Sequence, residues 1–380
     1  MSDELKRGLE GVLVAESGLS HVNGEAGKLV YRGYDIEDLA REASYEEVLY
    51  LLWHGSLPTR EEFDAFAASL AAEREVETKV LEAVEVLANG DERPMAALRT
   101  ATSMLSAYDD DEAVESREET IEQGARITAK IPTVLAAFER ARQGEEPIDP
   151  DPDLSHAGNF LYMLTGVKPD DVSEETFDMA LTLHADHGLN ASTFTAMVIG
   201  STLADTYSGV TGGIGALSGS LHGGANQDVM ELLYEIRDSE KDPVQWVKDA
   251  REDGRRIPGF GHRVYKVKDP RARILEEKLR DLASSSGDDT WLEYTTAIEE
   301  YLTEEGLVEK GIAPNVDFYS GSVYDTIGIP MDLFTPIFAM SRVGGWVAHV
   351  AEYQADNRLI RPRARYTGPT SAEFVPIDER

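Results

Sequence analysis

A chain of 380 residues with 36 lysines and arginines against 71 aspartates and glutamates carries a formal charge of −35, which argues against a nucleic-acid partner. An apolar content of 42% separates it from disordered polyelectrolytes. The absence of cysteine removes disulfides, thiolate metal ligands and cysteine nucleophiles together.

In chain order, the opening Met-Ser-Asp-Glu-Leu-Lys-Arg has no apolar signal-peptide core, so a soluble cytoplasmic protein is the expectation. Asn23-Gly24 and Gly27 punctuate Leu19 to Val22 and Leu29 to Tyr31, the only good strand signal, as a β-hairpin. Helix dominates from there. Ser44-Tyr-Glu-Glu47, Thr59-Arg-Glu-Glu62 and Ser116-Arg-Glu-Glu119 are capping boxes ahead of apolar-periodic segments, the first running through Val48, Leu49, Leu51, Leu52 and Trp53 to a stop at Gly55. The acidic run Asp109-Asp110-Asp111-Glu112 is expected in a surface loop, and Pro132 at a helix start or kink.

His184 and His187 are three residues apart; on a helix they would share a face and could bind a metal. Gly209 to Gly224 is glycine-rich enough to carry a hinge. Its Gly213-Ile-Gly215-Ala-Leu-Ser218 lacks the third glycine and the preceding strand of a dinucleotide site. No phosphate loop, H-E-x-x-H or G-x-S-x-G occurs. His222 stands just before the periodic Val229, Met230, Leu232, Leu233 and Ile236, where a helix dipole would depress its pKa and keep the ring neutral.

His262 lies in a segment, Arg255 to Arg271, with six basic residues against one acid, which points to an anionic ligand. Asp269 and Pro270 suit the N-cap and first position of a helix, putting Arg271 in its first turn, where an anion would relieve the conflict with the dipole. Asp317, between Val316 and Phe318, is either a partly desolvated base or a helix cap. The apolar stretch Phe334 to Ala351 is interrupted by Arg342, too broken for a membrane span. Arg358 to Arg365 holds four arginines and no acid, forks suited to carboxylates or phosphates.

The acidity, with 11 lysines against 25 arginines, reads as adaptation to brine, since self-repulsion at −35 needs screening.

Four segments, His184-Ala-Asp-His187-Gly-Leu-Asn-Ala-Ser-Thr193, Leu221-His222-Gly-Gly-Ala-Asn226, Gly259-Phe-Gly-His262 through Asp269-Pro-Arg271, and Pro314-Asn-Val-Asp317-Phe-Tyr-Ser-Gly321, resemble the citrate synthase family in order and spacing. The similarity runs from Gly8 to Arg363; one departure is Arg93 before Pro94, where the family often has histidine. The resemblance implies an all-α homodimer apart from the hairpin. A large helical domain would span 1–222 and 326–380, and a smaller inserted one, 223–325, would close over substrate.

It also implies condensation of acetyl-CoA with oxaloacetate, the entry step of the tricarboxylic acid cycle. Asp317 would be the base, His222 the donor to the thioester oxygen and His262 the donor to the ketone. His187, Arg271, Arg342 and Arg361 would bind oxaloacetate, Arg361 reaching in from the partner, and Lys266 would contact the coenzyme phosphates. No metal or cofactor beyond the thioester substrate, no nucleic acid and no membrane is implied. The alternatives are a 2-methylcitrate synthase using propionyl-CoA, a metal-dependent hydrolase built on His184, His187 and Asp317, and a non-catalytic scaffold with this fold.

Overall fold

The computed structural model describes residues 5–109 and 116–380; Asp110, Asp111 and Glu112 of the acidic run lie outside the described residues. The hairpin forms as expected, β1 (Ser20–Asn23) antiparallel to β2 (Lys28–Tyr31), with Ser20 opposite Tyr31 and Asn23 opposite Lys28. A third strand, β3 (Tyr34–Asp35), adds to β2. At two residues it is too short to show any alternation in the sequence.

All three capping boxes are present. Asp35 caps α1 (Ile36–Glu42), Ser44 caps α2 (Tyr45–His54) and Thr59 caps α3 (Arg60–Ala72), with Gly55 in the left-handed conformation that ends α2. α4 (Thr78–Asn89) and α5 (Pro94–Leu105) precede α6 (Arg117–Arg142), opened by Ser116. Of the two places expected for Pro132 a helix start is excluded: it lies inside α6, buried among Ile131, Val134 and Leu135. Tertiary packing on both sides outweighs the lost backbone hydrogen bond. Asp109 also departs from expectation, because its carboxylate turns inward to Arg126 (2.8 Å) and the Tyr207 hydroxyl (2.6 Å).

α7 (His156–Thr165), α8 (Asp171–His184), α9 (Ala191–Gly200) and α10 (Thr206–Leu217) follow. Glycines 209 to 215 are thus helical, and Gly213 lets the ring of Trp346 approach; only Ser218 to Gly224 is irregular. α11 (Ala225–Ser239) and α13 (Pro270–Ser286) both pack on α15 (Asp317–Thr326), while α12 (Pro243–Glu252) packs on α14 (Thr290–Glu304).

α16 (Phe334–Gln354) is buried along most of its length against α2, α6, α8, α9 and α10. Its apolar run serves as the core of the molecule, and no helix among the described residues is long and apolar enough to cross a membrane. Gly345 has no room for a side chain: an added Cβ would run into the Ala185 carbonyl and the Asp186 carboxylate. That close approach brings the end of α8 and the His187 loop against Arg342.

Candidate active site

Asp317 is the first residue of α15, and it is not the cap; the Asn315 side chain takes that place, accepting from the Asp317 N–H at 3.0 Å. The Asp317 carboxylate has no hydrogen bond or ion pair among the described residues. Burial pushes its pKa up to about 6, against the pull of Arg271 and Arg342. Asn315 also donates to the Gly261 carbonyl at 2.9 Å, and Asn315 N–H donates to Gly259. Gly261 N–H donates to Ala313 in turn. The segment carrying the aspartate is therefore stitched by backbone hydrogen bonds to the segment carrying His262.

The histidine tautomers follow from their donors. Nδ1 of His262 accepts from the backbone N–H groups of Val264 (3.0 Å) and Tyr265 (3.1 Å). It must therefore be unprotonated, and the ring's proton sits on Nε2, free to donate. Burial and then Arg271 lower the pKa to about 4, so the ring is neutral at physiological pH.

His222 is the mirror case. Its Nε2 accepts from the Ser192 N–H at 3.1 Å and lies 2.9 Å from the Ser192 hydroxyl, which leaves Nδ1–H as the spare donor. It does stand just before α11, and its pKa is lowered as expected. The cause differs from that expected: burial comes first and the Arg342 guanidinium second, with no dipole contribution needed. Ser192 is itself held by Asn190 (2.8 Å) and Trp346 Nε1 (3.2 Å). None of these three was singled out from the sequence, though Asn190 and Ser192 lie inside the His184–Thr193 motif.

His187 and His184 do not share a helix face. α8 ends at His184, whose Nδ1 lies 2.7 Å from the Ala180 carbonyl, and His187 lies beyond it in a loop. Its ring stands 5.5 Å from that of His262, and its Nε2 3.3 Å from the Tyr265 hydroxyl. Burial, then Arg271 and Arg342, lowers its pKa well below the usual imidazole range. Among the described residues no three His, Asp or Glu side chains gather as a metal cluster, so the trio of His184, His187 and Asp317 is not formed.

Arg271 sits in the first turn of α13 as expected, but the anion that relieves its conflict with the dipole is its own N-cap. Asp269, fully buried, takes Nε at 3.0 Å and Nη2 at 2.7 Å. Nη1 has no hydrogen-bond partner among the described residues. Arg342, itself buried, donates Nε to the His184 carbonyl at 2.7 Å and stacks over Phe338, and its two terminal nitrogens have no hydrogen-bond partner among the described residues. Burial lowers its pKa to about 10, so it remains charged. Two guanidinium edges thus face the same histidines and aspartate, an arrangement that fits a small dicarboxylate.

Half of the basic excess of 255–271 is paired with acids of the same chain: Arg255 with Glu235 at the surface, Lys268 with Glu276 and Glu299, and Arg271 with Asp269. What remains lines an open groove of about 460 Å³ formed by Arg256, Arg263, Lys266, Lys310 and His262. Lys310 was not anticipated, because it comes from a turn 44 residues downstream of Lys266. Arg361 lies in an exposed extended tail after α16 and is not brought to the site within this chain.

The family model for the citrate synthase C-terminal domain matches residues 8–363. A citrate synthase of Haloferax volcanii is 63% identical over the whole of both chains, and a 2-methylcitrate synthase of Corynebacterium glutamicum is 40% identical, again over the whole of both. Among solved structures, citrate synthase from Pyrobaculum aerophilum matches with a TM-score of 0.90 at 41% identity, covering 98% of this chain and 95% of that one. The citrate synthase of Thermoplasma acidophilum in ternary complex with carboxymethyl coenzyme A and oxaloacetate matches with a TM-score of 0.90 at 34% identity over all of both chains.

Proposed function

The chain belongs to the citrate synthase family and condenses acetyl-CoA with oxaloacetate and water to citrate and CoA; from that premise we propose which residues carry each step. One observation supports the assignment above the others. An unpartnered carboxylate with a pKa near 6 shares its surroundings with two neutral histidines, each locked in the tautomer that leaves one N–H to spare.

Oxaloacetate is held through its carboxylates by the open edges of Arg271 and Arg342, with His187 and the partner subunit's Arg361 completing the contacts in a homodimer. Asp317 takes a proton from the acetyl methyl group while His222 Nδ1–H stabilises the developing enolate oxygen. The enol carbon attacks the ketone, whose oxygen receives the Nε2 proton of His262, and water then hydrolyses the citryl thioester. The groove of Arg256, Arg263, Lys266 and Lys310 takes the phosphates of the coenzyme. No metal or further cofactor is needed in this scheme.

The region 223–325, which holds α11 to α14 and all but the last residue of α15, is the part that closes on the remainder (1–222 and 326–380). Closure expels water before the enolate forms. The reaction is the entry step of the tricarboxylic acid cycle, run in the cytoplasm of a salt-adapted cell. The salt adaptation is supported by the charge of −35 and by the Haloferax relative. Propionyl-CoA is the competing substrate, and the 2-methylcitrate synthase is the more distant relative at 40% against 63%. Steady-state thiol release with both thioesters tests this: kcat/KM should favour acetyl-CoA, and a large preference for propionyl-CoA would overturn the assignment.

A further inference from the structure

The N-terminal hairpin touches two of the loops that carry the cleft histidines, those of His187 and His262. On the His187 side, the Ser20 hydroxyl at the start of β1 lies 2.5 Å from the Asp186 carboxylate and accepts from the Gly188 N–H at 3.0 Å. Tyr31, at the end of β2, donates its hydroxyl to the Asp186 carbonyl at 2.7 Å and accepts from the Asp186 N–H at 3.1 Å. Asp186 is fully buried. Burial opposes its charge, but His349, Arg342 and Ser20 outweigh that and hold the carboxyl at about 2. On the His262 side, the turn joining β1 to β2 lies against the loop. The Lys266 N–H donates to the Gly24 carbonyl at 3.0 Å, and a Cβ built on Gly24 would fall on the Val264 carbonyl. Val264 is one of the two residues whose N–H fixes the His262 ring.

We propose that the hairpin is a positioning element of the active site: Ser20 and Tyr31 set the His187 loop, and the bare backbone at Gly24 sets the His262 loop against it. In this proposal the hairpin acts on the reaction through the two loops. The inference rests on the site assignment given above.

Gly24→Ala tests it. Gly24 does not use the left-handed region, so alanine leaves the turn unstrained, and its nearest collision is with Val264 of the His262 loop. A misplacement of about 1 Å in a reacting group costs up to about 100-fold, so kcat should fall by about 10- to 100-fold, far more than KM for oxaloacetate rises. A kcat within about three-fold of the parent's would overturn the proposal, since the site would then tolerate the shift. If the variant does not fold, Ser20 decides. Ser20→Ala should lower kcat about ten-fold and Ser20→Thr, which keeps the hydroxyl, should restore it; equal loss in both, or none in either, would overturn the proposal. Asp317→Ala is measured alongside. If it turns over normally, the site assignment fails and the hairpin inference falls with it. If it is dead while Gly24→Ala is fully active, the hairpin inference alone fails.

Discussion

Replacing Asp317 by asparagine should make the protein more stable, and by an amount that depends on pH. The carboxyl has an ordinary pKa of 3.8 and is raised to about 6 in the fold, chiefly by burial. A group whose folded pKa is raised binds its proton more tightly in the native state, so the native state loses stability as pH climbs from about 4 to 6 and stays penalised above. Two pKa units correspond to about 3 kcal/mol, and the side chain's partial access to the cleft reduces this to about 1–3 kcal/mol. Asparagine has the same shape and no charge to desolvate. In urea or guanidinium titrations at fixed high KCl, Asp317→Asn should be more stable than the parent by that amount at pH 8. The difference should shrink towards zero at pH 4. A variant less stable than the parent at pH 8, or a gain that persists unchanged at pH 4, would refute the view that the fold holds this carboxylate against its desolvation cost.

The same shift predicts that kcat/KM falls on the acid side with an inflection near pH 6; an inflection at the ordinary carboxylate value would place the base elsewhere. Arg342→Lys loses the planar fork, and with charged hydrogen bonds contributing about 1.5–3 kcal/mol it should raise KM for oxaloacetate about 10- to 100-fold while leaving KM for acetyl-CoA nearly unchanged. Lys310→Ala should do the reverse, raising KM for acetyl-CoA, and a rise in KM for oxaloacetate instead would remove the groove from the coenzyme site. Lowering KCl from about 1 M to 0.01 M lengthens the Debye screening distance from about 3 to 30 Å. At −35 the protein should then unfold or inactivate, as circular dichroism and thiol release would show, and full activity without added salt would refute salt adaptation.

What the sequence made legible is local. Capping boxes declare themselves within four residues, and the hairpin's Asn-Gly turn lies between its own strands, so both appear where expected. Asp317 between two apolar residues and Arg342 inside an apolar run are anomalies readable one position at a time, and both sit in the cleft. The misses come from contacts distant in sequence. Nothing near Pro132 says that α6 will already be running when it reaches that residue, and nothing near Asp109 says that Tyr207 will reach it. The contact of Ser192 with His222 spans 30 residues, that of Trp346 with Ser192 spans 154, and the Asn315 clamp on the His262 loop spans 54. Arg271 illustrates the mixed case: the sequence places it in the first helical turn, but the anion beside it is Asp269, two residues away, which serves as both cap and partner.

The most direct test of the account is thiol release from acetyl-CoA plus oxaloacetate by Asp317→Ala, with its fold and its oxaloacetate binding checked on the same preparation. Loss of the base predicts a fall in kcat of about 10²- to 10⁴-fold with oxaloacetate still bound. Undiminished turnover by a folded variant would mean that another group removes the proton.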